Sequence, residues 1–218
     1  VFHLYSKERL RKLIKYFPKN LIKLFVPNFP ILHLFRDPNM FDLGYPNNYD
    51  NKIKKARDYI ENLEKNLDFV MYMEYFNTSL LILQRMLCLE DDDIDYLPMN
   101  QSPQDDKNKF DLKNDNSLKK DIYRLNTADH LLYKHFMGPF KRYSSLVQDK
   151  LEIYETNLQN LYNYCVGKRV FKVAYVGRNY YGYEPRENLT EWEKIACQDH
   201  MKNEHEQTKD VCGNASRH

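Results

Sequence analysis

The spacing of apolar residues predicts that most of the chain is helical. In several segments apolar residues recur at steps of three and four, which is the pattern of a helix with one buried face. The predicted helices cover residues 52–67, 78–89, 118–136, 140–164 and 189–207. Residues 80–83 are all apolar, so we expect the second helix to be deeply buried. We expect the third to stop at Gly138-Pro139, because proline removes a helical hydrogen bond.

Other segments carry the apolar pattern of β-strands. Residues 69–73 form a continuous apolar run between two predicted helices, which is typical of a strand covered on both faces in a parallel sheet. Shorter candidates are residues 94–97 and 170–176, and a turn rich in glycine and tyrosine follows at residues 177–185. Because helix, buried strand and buried helix follow one another, the predicted fold class is α/β.

Composition narrows the possible partners. A chain of 218 residues with 42% hydrophobic residues is long enough to bury a core. Its 33 basic and 31 acidic residues leave a net charge of +2, which indicates no field for nucleic acid or a membrane surface. No apolar run approaches the roughly 20 residues that span a bilayer, and no signal peptide is visible. Residues 98–117 are polar and predict a loop or insertion.

Glu74 is the first candidate for chemistry. It follows the apolar run directly, and ligands of open α/β sheets collect outside the strand ends. A carboxylate there is also explained by the dipole of the helix that begins near Asn77, which favours negative charge at its amino terminus. Both interpretations stay open on the residues alone. The chain also lacks the glycine-rich motifs that cradle nucleotide phosphates.

Cysteine and histidine residues near the end of the chain do not predict a metal site. Cys197, His200, His205 and Cys212 mix ligand types at spacings that zinc sites rarely use. We therefore predict no metal.

Four sequons match the N-glycosylation acceptor pattern and favour a secretory-pathway protein. They begin at Asn77, Asn100, Asn188 and Asn214. Asn77 lies on the helix that we expect to be buried, which argues against its modification.

Three segments in order resemble the galactose-3-O-sulfotransferase family. The first is Met40-Phe-Asp-Leu-Gly-Tyr45, and the second runs from Glu74-Tyr-Phe through Leu87-Cys88 to Asp95-Tyr96-Leu97. The third, from Asn126 to Phe140, resembles the family's N-x-L-D-x-x-L-Y-x-H-F motif. The resemblance covers about residues 30–165 well and 166–205 loosely.

The resemblance implies a P-loop-like sulfotransferase fold with a parallel sheet, of which this chain is the helix-rich carboxyl-terminal part. Residues 1–165 would belong to the catalytic domain, and residues 166–218 would form a tail with a helix and cysteines. The implied reaction moves a sulfuryl group from 3′-phosphoadenylyl sulfate to the 3-hydroxyl of a terminal galactose on a glycolipid or glycan. The implied location is the Golgi membrane, with a luminal catalytic domain and an anchor upstream.

The resemblance also places the donor loop and the catalytic base upstream of Val1. We therefore expect no catalytic residue within this chain and no activity from the chain alone. Arg36-Asp37-Pro38 matches the family's R-D-P donor element, but it stands too close to Phe41, and we interpret it as a coincidence.

Several residues acquire expected roles from the resemblance and from helical spacing. The acceptor-pocket candidates are Asp42, Tyr45, Glu74 and Tyr75. In an oxidising compartment we expect a disulfide between Cys165 and Cys197, with Cys88 a buried free thiol. Asn126, Asp129 and Tyr133, at steps of three and four, predict a polar ladder on one helix face. The competing hypothesis is a non-catalytic, glycosylated helical interaction module of the secretory pathway.

Overall fold

A computed structural model describes residues 36–46, 53–99, 115–173, 179–202 and 206–208. The helices in these ranges are α1 (Pro38–Asp42), α2 (Ile53–Glu64), α3 (Phe76–Leu87), α4 (Asn116–Leu125), α5 (Thr127–Ser144), α6 (Gln148–Cys165) and α7 (Glu191–His200). The strands are β1 (Val166–Val173) and β2 (Asn179–Pro185), and short 3-10 turns cover Met73–Tyr75 and Asp91–Ile94. Most of the predicted loop 98–117 lies outside the described residues. Among those residues, no helix is long and apolar enough to cross a membrane.

The described part is helix-rich α/β, as the sequence predicted, and its sheet is small. Strands β1 and β2 pair antiparallel, with an irregularity between Val166 and Lys168. Gly167 lies at this irregularity. Any larger residue would clash there, because an added Cβ would lie 2.9 Å from the carbonyl oxygen of Pro185. The prediction of a turn at residues 177–185 was wrong, since most of that segment is β2. No parallel sheet occurs among the described residues.

The two internal strand predictions were also wrong. Tyr72 is extended, but its amide donates to Ser79 Oγ at 3.0 Å, and that hydroxyl donates to the Tyr72 carbonyl at 3.3 Å. A side chain thus satisfies the backbone groups that a neighbouring strand would bind. At the second candidate, residues 94–97, Ile94 ends the 3-10 turn Asp91–Ile94, which a capping box between Glu90 and Asp93 closes, and residues 95–97 form no strand.

Two predicted helix boundaries differ from the structure. Asn126 separates α4 from α5: it is the C-cap residue of α4, its φ of −114° and ψ of 45° are not helical, and its side-chain amide donates to the Ile122 carbonyl at 3.1 Å. Helix α5 then continues through Pro139. Phe136 and Phe140 are both buried on either side of that proline. Burying each ring contributes roughly 1.5–3 kcal/mol, which offsets the ~3 kcal/mol that an interior proline costs.

The chain divides into two compact units. The first unit comprises residues 1–70 and 106–142, and the second comprises 71–105 and 143–218. The buried apolar residues described in the first unit are Met40, Ala56, Ile60, Leu118, Ala128, Phe136 and Phe140. A cluster in the second unit contains Leu97, Cys165, Val166, Tyr183, Leu189, Cys197 and Met201. The assignment of residues 1–165 to a catalytic domain and of residues 166–218 to a tail stays a prediction.

The predicted disulfide lies inside the second unit. Cys165 at the end of α6 is bonded to Cys197 in α7, with Cα atoms 5.3 Å apart, and both are buried. Cys88 is a free thiol as predicted, but the prediction that it is buried was wrong. Helix α3 ends at Leu87, and Cys88 follows in the left-handed conformation (φ 52°), beyond the apolar face of the helix.

Candidate functional site

The first candidate site is built around the amino terminus of α1. This helix has only five residues, and its N-cap residue, Asp37, makes no side-chain cap bond to its own helix. The carboxylate of Asp129, from the first turn of α5, takes that place. Asp129 Oδ1 accepts from the Met40 amide at 2.8 Å, and Oδ2 accepts from the Asn39 amide at 3.1 Å and its side chain at 2.8 Å. One carboxylate therefore caps α1 from a distant part of the sequence.

The capping is reciprocal. Asp37 Oδ1 accepts from the backbone amide of Asp129 at 3.0 Å, at the amino terminus of α5. Asn126 Oδ1 accepts from the Asp37 amide at 2.8 Å. Each helix thus supplies an aspartate to the amino-terminal amides of the other, where the helix dipole favours negative charge. We call Asp37, Asn126 and Asp129 the aspartate clasp.

Burial governs the electrostatics of the clasp. Asp37 is 7% exposed, and this burial raises the pKa of its carboxyl group, with the nearby charge of Asp129 acting in the same direction. The backbone amides of Asp129 and Ala128 oppose that rise in pKa, as does the guanidinium of Arg36, whose Nε lies 4.0 Å from Asp37 Oδ2. The motif Arg36-Asp37-Pro38, interpreted from the sequence as a coincidence, therefore begins α1 and joins it to α5.

The far end of α1 carries two of the predicted acceptor-pocket residues, Asp42 and Tyr45. Gly44 turns the chain there with φ +86°, and the Tyr45 amide donates to the Met40 carbonyl at 2.8 Å. Tyr59 holds this turn from α2, since its hydroxyl donates to the Leu43 carbonyl at 2.8 Å and its ring meets that of Tyr45 edge-on at 5.2 Å. Burial raises the pKa of Tyr45.

The predicted polar ladder is present for two of its members. Asn126 and Asp129 both contact the amino terminus of α1. Tyr133, one turn further along α5, has a 41% exposed side chain. Helical spacing predicted that Asn126 and Asp129 lie on one face, but it could not predict that this face contacts α1. The contacting residue Asp37 lies 92 residues from Asp129 in the sequence.

The other two acceptor-pocket candidates, Glu74 and Tyr75, lie in the second unit. Glu74 is exposed in the 3-10 turn before α3, and Met73 (79% exposed) and Tyr75 (48% exposed) flank it. Such a surface offers a carboxylate for hydroxyl groups and an aromatic ring for an apolar sugar face. Glu74 also precedes a helix amino terminus, so its role in helix stability stays open. Burial, aided by the charge of Glu74, raises the pKa of neighbouring Tyr72 to about 12.

Residues that the sequence reasoning did not assign to the site hold this turn in place. Asn77, in the first turn of α3, accepts from the Tyr96 hydroxyl at 2.7 Å and donates from Nδ2 to Glu155 Oε1 at 3.1 Å. The Tyr96 ring also meets that of Phe76 edge-on at 5.1 Å. Burial raises the pKa of Tyr96, and the charge of Glu155 adds to the effect. The sequence signal for this contact was Tyr96 itself, within the second resembling segment.

The sequons differ in accessibility. Asn77 has both ends of its amide in hydrogen bonds, whereas Asn188 is exposed in the turn before α7. Asn100 and Asn214 lie outside the described residues. Within the described ranges, no three His, Cys, Asp or Glu side chains are placed to hold a metal ion. The disulfide also removes Cys197 from any thiolate ligand set.

Comparison with known proteins assigns the family. A family model described as galactose-3-O-sulfotransferase matches residues 25–163, which is more than half of the chain. This chain belongs to the galactose-3-O-sulfotransferase family. The matched range contains the aspartate clasp and all four acceptor-pocket candidates, and it ends before the Cys165–Cys197 disulfide.

Individual relatives carry a more specific name. The galactosylceramide sulfotransferase of Homo sapiens is 31% identical over 120 residues, covering 53% of this chain and 26% of the relative. That of Bos taurus is 31% identical over 114 residues, covering 50% and 25%, and that of Mus musculus is 30% identical over the same length. The chain therefore spans about a quarter of the length of these curated relatives. No solved structure matches.

Proposed function

We propose that the protein transfers a sulfuryl group from 3′-phosphoadenylyl sulfate to the 3-hydroxyl of a terminal galactose, and that this chain forms the carboxyl-terminal part of the catalytic domain. The observation that carries the proposal is the family match over residues 25–163. The relatives named galactosylceramide sulfotransferase favour a glycolipid acceptor.

In this reaction the acceptor hydroxyl oxygen attacks sulfur, a base removes the hydroxyl proton, and the phosphate of the donor leaves with the bridging electron pair. The enzyme must orient the hydroxyl and stabilise charge on the leaving phosphate. We assign the first task in part to this chain. The Glu74 carboxylate accepts hydrogen bonds from sugar hydroxyls, and the exposed Tyr75 ring packs against the sugar. Within the first unit, Asp42 and Tyr45 at the end of α1 are also assigned to acceptor binding.

The second task belongs, in this proposal, to a segment upstream of Val1. Backbone amides and cationic side chains at a strand-to-helix turn bind phosphate groups well. Among the described residues, strand β2 leads through a turn into α7, but a capping box between Thr190 and Glu193 occupies the amides at the amino terminus of that helix. The catalytic base is assigned to the same upstream part.

We further propose that the protein works in the lumen of the Golgi, held by an upstream membrane anchor. The Cys165–Cys197 disulfide supports an oxidising compartment. The exposed sequon at Asn188 supports the secretory pathway.

A sulfate-transfer assay with labelled donor tests this function. The protein with its natural upstream sequence is given galactosylceramide, glucosylceramide, or galactosylceramide methylated at the 3-hydroxyl. We expect label only on the unblocked galactosyl lipid. Equal labelling of the blocked lipid would contradict transfer to the 3-hydroxyl, and absence of label from every acceptor would favour a non-catalytic module.

Matched variants test the acceptor pocket within the same assay. Glu74→Gln removes a charged acceptor of hydrogen bonds, each of which contributes roughly 1.5–3 kcal/mol, so we expect acceptor kcat/KM to fall about tenfold or more. Glu61→Gln, an exposed carboxylate on α2, is the control and should leave it unchanged. Equal behaviour of the two variants would remove Glu74 from the pocket.

A further inference from the structure

We propose that Asp129 and Asn126 are positioning residues for the sugar acceptor, acting through α1 on Asp42 and Tyr45. The inference rests on the proposed function, because only there are Asp42 and Tyr45 assigned to acceptor binding. Neither Asp129 nor Asn126 needs to touch the sugar. Their contribution is to fix the backbone that presents the residues that do.

Helix α1 is too short to hold its own shape. Helices shorter than about 12–15 residues are marginal in water, and α1 has five residues. Proline at its first position lacks an amide, and the next two amides both donate to Asp129. The amide of Asp37 donates to Asn126. The clasp therefore binds the available amides at this end of α1.

Backbone hydrogen bonds connect the aspartate clasp to the far end of α1. Met40 is fully buried, its amide donates to Asp129 at 2.8 Å, and its carbonyl accepts from the Tyr45 amide at 2.8 Å. The Asn39 carbonyl likewise accepts from the Leu43 amide at 3.0 Å. Asn39 and Met40 thus donate their amides to Asp129 and accept, through their carbonyls, from the turn that follows Asp42.

Tyr59 makes a second, independent contact with the same turn. The Tyr59 hydroxyl donates to the Leu43 carbonyl, and it lies 3.2 Å from where a Cβ on Gly44 would stand. A turn bound from α5 through Asp129 and from α2 through Tyr59 has little freedom to shift. Misplacement by about 1 Å reduces the rate of an oriented reaction by up to roughly a hundredfold, so this restraint has a kinetic consequence.

The test compares two variants that loosen α1 with one that loosens the core of the second unit. Asp129→Asn keeps the shape but loses the charge, and Tyr59→Phe removes only the hydroxyl. The control is Tyr154→Phe, which removes a buried hydroxyl bonded to the Ile94 carbonyl at 2.6 Å in the second unit. All three are made in the protein with its natural upstream sequence, and kcat, acceptor KM, donor KM and melting temperature are measured with galactosylceramide.

We expect Asp129→Asn and Tyr59→Phe to lower acceptor kcat/KM about tenfold, while donor KM changes by less than about twofold. Tyr154→Phe should lower the melting temperature and leave both KM values unchanged. An active wild type whose acceptor KM and kcat survive Asp129→Asn would overturn the positioning role. An equal rise of donor KM would also overturn it, since that indicates a general structural effect. An inactive wild type would instead refute the proposed function itself.

Discussion

Replacing Asp129 with alanine is the sharpest test of the clasp as a structural element. The substitution removes a carboxylate that accepts three hydrogen bonds from α1. Losing a helix cap costs about 1 kcal/mol. The substitution also leaves the backbone amide of the buried residue Met40 without its hydrogen-bond acceptor. An unsatisfied amide of this kind costs roughly a further 1–3 kcal/mol. Water replaces the bonds to the exposed groups of Asn39, so we add nothing for them. The expected loss is about 2–4 kcal/mol of unfolding free energy.

The measurement is urea unfolding followed by circular dichroism, with the free energy of unfolding taken from midpoints at a shared slope. Asp121→Ala is the matched control, because its carboxylate forms an exposed pair with Arg124 at 3.5 Å. Such a pair contributes about 0–1 kcal/mol. Asp129→Asn should fall between the two, since it keeps one acceptor oxygen. If Asp129→Ala is no more destabilising than Asp121→Ala, Asp129 is merely solvated and the clasp reasoning is refuted.

Other predictions follow from the second unit and the sequons. The hydrogen bond from Tyr164 is the largest cause, followed by those from Thr190, of a pKa of Glu193 lowered from 4.5 to about 2. The ionised Glu193 should therefore stabilise the fold fully above pH 4.5, and this stabilisation should disappear as the pH falls toward 2. Glu193→Gln should remove this pH dependence from acid unfolding curves, and an unchanged curve would contradict the prediction. Replacing both Cys165 and Cys197 by alanine opens a loop with a sequence separation of 32 and should cost about 3–4 kcal/mol of unfolding free energy; a loss below about 1 kcal/mol in urea would contradict this entropic account. Glycopeptide mass spectrometry of secreted protein should find glycan on Asn188 and none on Asn77, and occupancy of Asn77 would mean that its bond to α6 does not form. Calorimetry should detect no binding of 3′-phosphoadenylyl sulfate to residues 1–218 alone, and micromolar binding would overturn the upstream donor site.

Local pattern predicted all the described helices except α1, whose five residues lie in no predicted helix. Helix α2 and the start of α3 follow from amphipathic spacing, because a buried face repeats every three to four residues whatever the helix packs against. Boundaries depended on distant contacts instead. The break at Asn126 coincides with a bond to the amide of Asp37, 89 residues away, which no local window contains.

An apolar run does not reveal what satisfies its backbone. Residues 69–73 were predicted to pair with a neighbouring strand, yet the structure satisfies Tyr72 through the hydroxyl of Ser79. The same limit applied to the candidate site. Spacing placed Asn126 and Asp129 on one face of α5, but the partners of that face, Asp37 and Met40, became visible only in three dimensions.

The position of the sulfate on the product tests the central claim most directly. The protein with its natural upstream sequence is incubated with 3′-phosphoadenylyl sulfate and galactosylceramide, and the sulfated lipid is analysed by proton NMR. The account predicts one product, in which the galactose 3-proton is shifted downfield by the sulfate ester. A downfield shift at the 6-protons, or no sulfated lipid from a folded protein, would contradict it.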